Sequence, residues 1–245
     1  EIMPSLVGSE MCIRDSCLNG HTLNLGQYFI WVGYMDCTLY LCDCSAQKTG
    51  TVSGGSKGCV SVDDAGNYNA TFNMYSGTLR GGNRTGCGGG VEIVNGTMNM
   101  YGGTITGNTA GLKKQSGYGA GGGVFVDMRG TFNLYRGEIS ENTAVFQGGG
   151  GVYVYTTGKF TMYDGTITRN TVTLLGESTY SNSTDYGGGG VLNKGTFIME
   201  NGTISDNTVI PFSDNGTQGG GGVYNTGTFT MENGTLTRNK ALNYK

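Results

Sequence analysis

The sequence predicts an all-β fold, a single-stranded right-handed parallel β-helix, on three observations. One segment recurs down the chain, the residues inside each copy alternate with period two, and apolar residues occupy the same positions in every copy. The copies read GGGVEIVNGTMNMYGGTITGN from residue 88, GGGVFVDMRGTFNLYRGEISEN from 121 and GGGVYVYTTGKFTMYDGTITRN from 149. Two more follow, GGGVLNKGTFIMENGTISDN from 188 and GGGVYNTGTFTMENGTLTRN from 220. Recurrence at periods of roughly 20 to 50 residues marks a solenoid, a propeller or an array.

Each element can be read from one copy. In Thr228-Phe229-Thr230-Met231 the Phe and Met point one way and the Thr side chains the other, as in a strand with one buried face. Gly222-Val223-Tyr224 and Thr235-Leu236-Thr237 read the same way. Between the second and third strands stand Gly102-Gly103, Arg136-Gly137, Asp164-Gly165, Asn201-Gly202 and Asn233-Gly234, whose second residue suits the positive φ of a tight turn. A coil is therefore strand, short turn, strand, short turn, strand and variable loop. A propeller blade needs four antiparallel strands in roughly 40 to 50 residues, whereas here three strands fit in about 20.

Stacking like on like gives three core columns. The first is Val91, Val124, Val152, Val191 and Val223; the second is Phe72, Met98, Phe132, Phe160, Phe197 and Phe229 with the Met or Leu two residues on. The third, always seven residues after the second, is Leu79, Ile105, Ile139, Ile167, Ile204 and Leu236. Three residues further come Asn108, Asn142, Asn170, Asn207 and Asn239; only the earliest copy departs, with Asn83 four residues on. These asparagines are expected to form a ladder, because an amide can be satisfied by identical neighbours above and below. The competing reading is a surface turn residue tolerating a left-handed conformation.

Upstream the pattern degrades but persists. Thr38-Leu39-Tyr40-Leu41 matches the second strand, Gly50 to Gly55 the third, and Gly58-Cys59-Val60 the start of a copy. Leu18 to Leu25 and Phe29 to Val32 read as strands of an opening coil, so seven regular third strands follow it. The chain thus divides into an irregular N-terminal coil over residues 17–66 and regular repeats over 67–245. Residues 1–16 are set apart: Ser5 to Ser16 reads as the in-frame translation of a transposase adapter used in preparing sequencing libraries. With the last copy stopping six residues from the end, a piece of a longer protein, a monomeric module of it, is expected.

Composition excludes several classes of function. The 245 residues include 48 Gly and only 2 Pro, with 36% hydrophobic residues at fixed positions, so a core can form and disorder is not expected. A formal charge of −3 without a basic run argues against a nucleic-acid or anionic-membrane partner. No apolar run reaches the roughly 18 residues of a spanning helix.

The alternation of GGGV with Ile-x-x-Asn, at Ile105 to Asn108, Ile139 to Asn142, Ile167 to Asn170 and Ile204 to Asn207, resembles the repeats of chlamydial polymorphic outer-membrane proteins. It resembles more closely the large β-helical surface proteins of gut Firmicutes and similar bacteria, through LNGHTL at residues 18–23, LCDCS at 41–45 and the GGGVYV and GTFTMxxGTIxxNTA coils. The resemblance spans residues 17–245 and implies a pectate-lyase-like β-helix, exported and displayed as an adhesin-like stalk. Ile or Leu stands where the chlamydial repeat has Phe, so that family's specific adhesion role is not carried over.

Candidates for chemistry are few. Length varies mainly between the Asn and the next glycines, at Ala110 to Ala120, Ala144 to Gln147, Thr171 to Tyr186 and Val209 to Gln218. In a solenoid these insertions leave one corner, where they often build the binding face; Tyr118, Phe146, Leu175, Tyr180, Tyr186 and Phe212 are its candidate contacts for a host protein or glycan. The alternative is that they merely cover the corner. Glu200 and Glu232 share one position in successive coils, a carboxylate pair at about the 5 Å spacing that retaining glycosidases use. That position holds Tyr75, Tyr101, Tyr135 and Tyr163 in earlier coils, which makes it an edge column first. His21 is the only histidine, so no catalytic constellation is visible; a carbohydrate-active β-helix enzyme is the rival reading. Outward Thr104/Thr106, Thr166/Thr168 and Thr235/Thr237, interrupted by Arg80 and Glu138, would suit ice binding only as a minor alternative. Cys42-x-Cys44 with Cys59 offers thiolates to zinc, but the spacing lacks a CxxC pair, and disulfides of an N-terminal cap or plain thiols compete with it. Neither a metal nor a cofactor is called for.

Overall fold

The computed structural model describes residues 12–33, 36–63, 69–111, 119–173, 187–211 and 219–242. Its described strands pair only in parallel, in three sheets of 13, 8 and 6 strands, as successive coils of a parallel β-helix. One coil shows the construction: Val152–Val154, Lys159–Met162, Thr166–Thr168 and Thr171–Thr173 follow one another around the axis. The first two lie in the largest sheet, the third in the eight-stranded sheet and the fourth in the six-stranded one.

Register follows the expected columns. Val91 faces Val60 and Val124, Val152 faces Val124 and Val191, and Val191 faces Val223. Phe160 faces Phe132 and Phe197, and Ile167 faces Ile139 and Ile204. The degraded N-terminal coils obey the same register, with Leu39 on Phe72, Val52 on Leu79, Leu23 on Val52 and Ile30 on Val60. Column residues from Val52 to Ile204 form one continuous buried core. Inside it the rings of Phe132, Phe160, Phe197 and Phe229 stack with centroids 5.0, 4.6 and 4.8 Å apart. That is the strand-to-strand pitch of a parallel sheet, so coil stacking itself sets the ring contacts.

Two details differ from the sequence reading. A coil has a fourth short strand, directly after the Asn: Thr109–Ala110, Thr143–Val145, Thr171–Thr173 and Thr208–Ile210 stack on one another. Its inward residues Ala144, Val172 and Val209 make a small separate core. The first two strands, moreover, run on without a turn as Val91–Met100 and Val124–Leu134 in two coils. The strand Cys12–Cys17 pairs with Cys37–Cys42, so the stack extends into the segment that the sequence set apart.

The glycines have two distinct jobs. Gly165, at φ +101, makes the expected turn, and a Cβ there would lie 2.8 Å from the Gly137 carbonyl oxygen of the coil before. Gly123 is needed for space: its Cβ would fall 2.7 Å from the Gly151 carbonyl oxygen and 3.0 Å from Asn142 Nδ2. The GGGV signature is thus the wall against which the asparagines pack.

Candidate functional site at the loop-bearing edge

The asparagines come first, because they fix the corner from which the variable segments leave. Asn142 Oδ1 accepts from the backbone N–H of Asn108 at 3.1 Å and from Asn108 Nδ2 at 2.9 Å. Its own Nδ2 donates to the Ile105 carbonyl at 2.9 Å and to Asn170 Oδ1 at 3.0 Å. Asn170 repeats the set with Asn207, and Asn207 with Asn239. Each such amide therefore accepts two hydrogen bonds and donates two, and Asn108, Asn142, Asn170 and Asn207 are fully buried. At the lower end the Gly82 N–H and the Cys59 thiol take the place of another Asn beneath Asn108. Burial pushes that thiol up to about 12, so it is a proton donor and not a thiolate.

The left-handed conformation belongs to the residue before each ladder position. Gly81, Gly107, Glu141, Arg169, Asp206 and Arg238 have φ between 52° and 70°, whereas no ladder Asn has a positive φ. Since non-glycine residues occupy four of these sites, their side chains radiate outward with alternating charge. Arg169 reaches Glu138 and Glu141 at 3.0 and 3.2 Å, and Arg238 reaches Asp206 at 2.7 Å. The Arg238 hydrogen bond holds the Asp206 carboxyl below its usual range. Exposed pairs of this kind contribute little to stability.

After the fourth strands the described residues run to Gly111, Thr173 and Pro211 and resume at Gly119, Gly187 and Gly219, just before the glycine triplets. Of the expected contacts, Tyr118, Leu175, Tyr180, Tyr186 and Phe212 lie outside the described residues. Phe146 is described: half-buried, it follows the strand Thr143–Val145 and adopts φ +84. Gly111, two positions after Thr109 as Phe146 is three after Thr143, also turns left-handed at the end of its strand, with φ +92. An aromatic residue is therefore held where backbone geometry favours glycine.

Beside the triplets lies a feature that the sequence reading missed. The outward residues after the Val column, Phe125, Tyr153 and Leu192, are buried with Ala120 in a second apolar cluster, with Cys87, Tyr155 and Tyr224 packed against it. Phe125 and Tyr153 stack at 5.3 Å. A signal existed, since Phe125, Tyr153, Leu192 and Tyr224 recur next to Val and a strand apolar on both sides is covered on both faces. One coil earlier the column holds Glu92, whose carboxylate meets Arg84 at 2.6 Å and accepts from Ser61 Oγ at 3.5 Å. Burial raises the Glu92 pKa despite Arg84, and Asp127 and Asp63 push in the same direction.

No family model, no curated protein and no solved structure matches the chain at a significant level.

The remaining candidates fall in different places. Glu200 and Glu232 are exposed at the end of their strands, in the column of the tyrosines. His21 is exposed in the turn before the strand Thr22–Asn24. The threonine rows do not make one open face. Thr168 is buried with Ser140 and Ser205, its hydroxyl lying 3.2 Å from Ser205 Oγ. The cysteines regroup as well. Cys17 and Cys44 form a disulfide over a separation of 27 residues, with the Cys42 sulfur inside the same 4.8 Å cluster, while Cys59 lies apart under the ladder.

Asp43, inside the LCDCS segment, organises this N-terminal corner. Its carboxylate accepts from the N–H groups of Gly20, Ser45 and Gly50 at 2.8, 3.1 and 2.6 Å and from the Ser45 hydroxyl at 3.0 Å. Burial pushes its pKa up, but these four donors outweigh burial and hold it down at about 2.

Proposed function

We propose that this chain is a non-catalytic structural module of a bacterial surface or secreted protein, a rigid adhesin-like spacer that presents loops to a host protein or a glycan. One observation supports the reading above the others. The points of departure, Ala110, Ala144, Val172 and Val209, stand in register in one sheet, so the largest length variations are gathered along a single edge, while the step from the Val column to the Phe column changes by no more than two residues. Repeat solenoids use such edges as extended binding surfaces. The likeness of the coils to β-helical surface proteins of gut bacteria and to the chlamydial repeat points the same way. So does Phe146, an aromatic residue in a conformation that its backbone resists.

The reading is tested by binding the purified chain to arrays of glycans and of host extracellular proteins, alongside a variant in which residues 174–186 are replaced by a Gly-Ser linker. Binding by the parent that the linker variant loses while folding intact is the expected result. Equal binding by both, or none by either, would defeat the loop-ligand reading.

A second reading is favoured by Glu92. A half-buried carboxyl with a raised pKa, an Arg84 partner and Asp63 and Asp127 nearby is a set that a carbohydrate-active β-helix enzyme could use for proton transfer. Cleavage of polyuronides by the parent chain and its loss in Glu92→Gln would establish it.

A further inference from the structure

At the end of the second strand in four successive coils stand Tyr75, Tyr101, Tyr135 and Tyr163, with Tyr40 of the coil below, which is in register with Asn73, packed at an offset against Tyr75. Backbone hydrogen bonds to the coil beneath fix each one: Tyr75 N–H to Leu41, Tyr101 to Met74, Tyr135 to Met100 and Tyr163 to Leu134. The rings consequently stack at the pitch of the coils. Centroids are 4.9, 4.7 and 4.6 Å apart from Tyr75 to Tyr163, and the interplanar angles fall from 16° through 9° to 1°. Tyr40 is more loosely attached, 6.3 Å from Tyr75.

This column is on the surface. Tyr75, Tyr101 and Tyr163 keep 49%, 37% and 40% of their area exposed. Since both faces of Tyr101 and Tyr135 are occupied by neighbouring rings, neither can stack on a sugar. What the column offers to solvent is a row of ring edges and phenol groups. Burial, then the phenols of Tyr135, Tyr75 and Tyr40, raise the Tyr101 pKa.

We propose that the column is an oxidative cross-linking site, in which hydrogen peroxide with a peroxidase couples adjacent tyrosines into dityrosine and staples neighbouring coils together. Each of two phenols loses its O–H hydrogen as one electron and one proton, giving two phenoxyl radicals whose spin extends to the ring carbons ortho to oxygen. A carbon–carbon bond forms between ortho positions of neighbouring rings, and the two displaced ring hydrogens return to the oxygens. One peroxide takes up the two electrons and two protons and leaves as two waters. The coils already hold the partners in contact, which removes the encounter that ordinarily limits radical coupling. The inference is independent of the loops and of any ligand they carry.

The experiment treats the folded chain with peroxidase and hydrogen peroxide, isolates the monomer, and reads dityrosine fluorescence and cross-linked peptides by mass spectrometry. The expected result is intramolecular links between stacked neighbours, Tyr75 to Tyr101, Tyr101 to Tyr135 and Tyr135 to Tyr163. Tyr135→Phe, which keeps a stacked ring but interrupts the phenols, should lose most of the signal and retain only the Tyr75 to Tyr101 link. Equal yield from the urea-unfolded chain, links confined to dimers, or an undiminished signal in a folded Tyr135→Phe would each overturn the proposal. Should that variant not fold, the peptide map of the parent chain decides alone: other tyrosine pairs in place of these would refute it.

Discussion

Asn170 Nδ2 donates to Asn207 Oδ1 at 3.0 Å across 37 positions of sequence, while the same Oδ1 accepts the Asn170 backbone N–H at 2.9 Å. Two residues separated by a whole coil thereby satisfy each other in the dry corner of the helix. The spacing between ladder members is 34, 28, 37 and 32 residues, yet the contact does not change. Insertions are absorbed mainly after the fourth strand, where they leave the ladder untouched; from the Val column to the ladder Asn the length stays between 16 and 18 residues. This separates a constant scaffold from a variable edge, and it makes the edge the place to seek specificity.

The aromatic stack of the core carries a large share of coil-to-coil packing. Phe160 is fully buried between Phe132 and Phe197. Phe160→Ala is expected to cost about 3 to 5 kcal/mol, read from urea unfolding followed by circular dichroism.

Asp43 makes the N-terminal corner sensitive to acid. Its carboxyl titrates at about 2 in the folded chain against 3.8 ordinarily, so its contribution is complete above the higher value and is lost as pH falls through the lower. Asp43→Asn should therefore melt at lower temperature than the parent at neutral pH. The difference should shrink as the pH is taken from 4 toward 2.

Phe146 tests backbone strain separately from side-chain contact. Both Phe146→Gly and Phe146→Ala remove the ring, but only glycine adopts φ +84 readily. The Gly variant should be more stable than the Ala variant by about 1 kcal/mol, measured by chemical denaturation. If residues beside the variable segments bind a ligand, both should lose binding.

Much of this was legible in the sequence because a solenoid repeats its contacts. Val152, Phe160, Ile167 and Asn170 announce their partners by recurring at fixed offsets. The fourth strand was not legible, because Thr-Ala or Thr-Val is too short for a period-two pattern. Nor was the left-handed column, where Glu141, Arg169, Asp206 and Arg238 share no residue type that signals the conformation. Asp43 and the Glu92–Arg84 pair occur once each, and only the folded chain brings their partners together. Of the expected loop contacts only Phe146 is among the described residues.

The most direct measurement is the unfolding free energy of Asn170→Ala beside Asn133→Ala. Asn133 belongs to a second, partly exposed ladder in which its Nδ2 donates to Asn99 Oδ1 at 2.9 Å. Removing the Asn170 amide leaves the Asn142 N–H and Nδ2, the Ile139 carbonyl and Asn207 Oδ1 each short of a partner in the buried corner. With each buried unsatisfied group costing about 1 to 3 kcal/mol, Asn170→Ala should lose at least about 3 kcal/mol and Asn133→Ala less than about 1 kcal/mol. An Asn170→Ala chain as stable as the parent would contradict the ladder as the element that holds the coils in register.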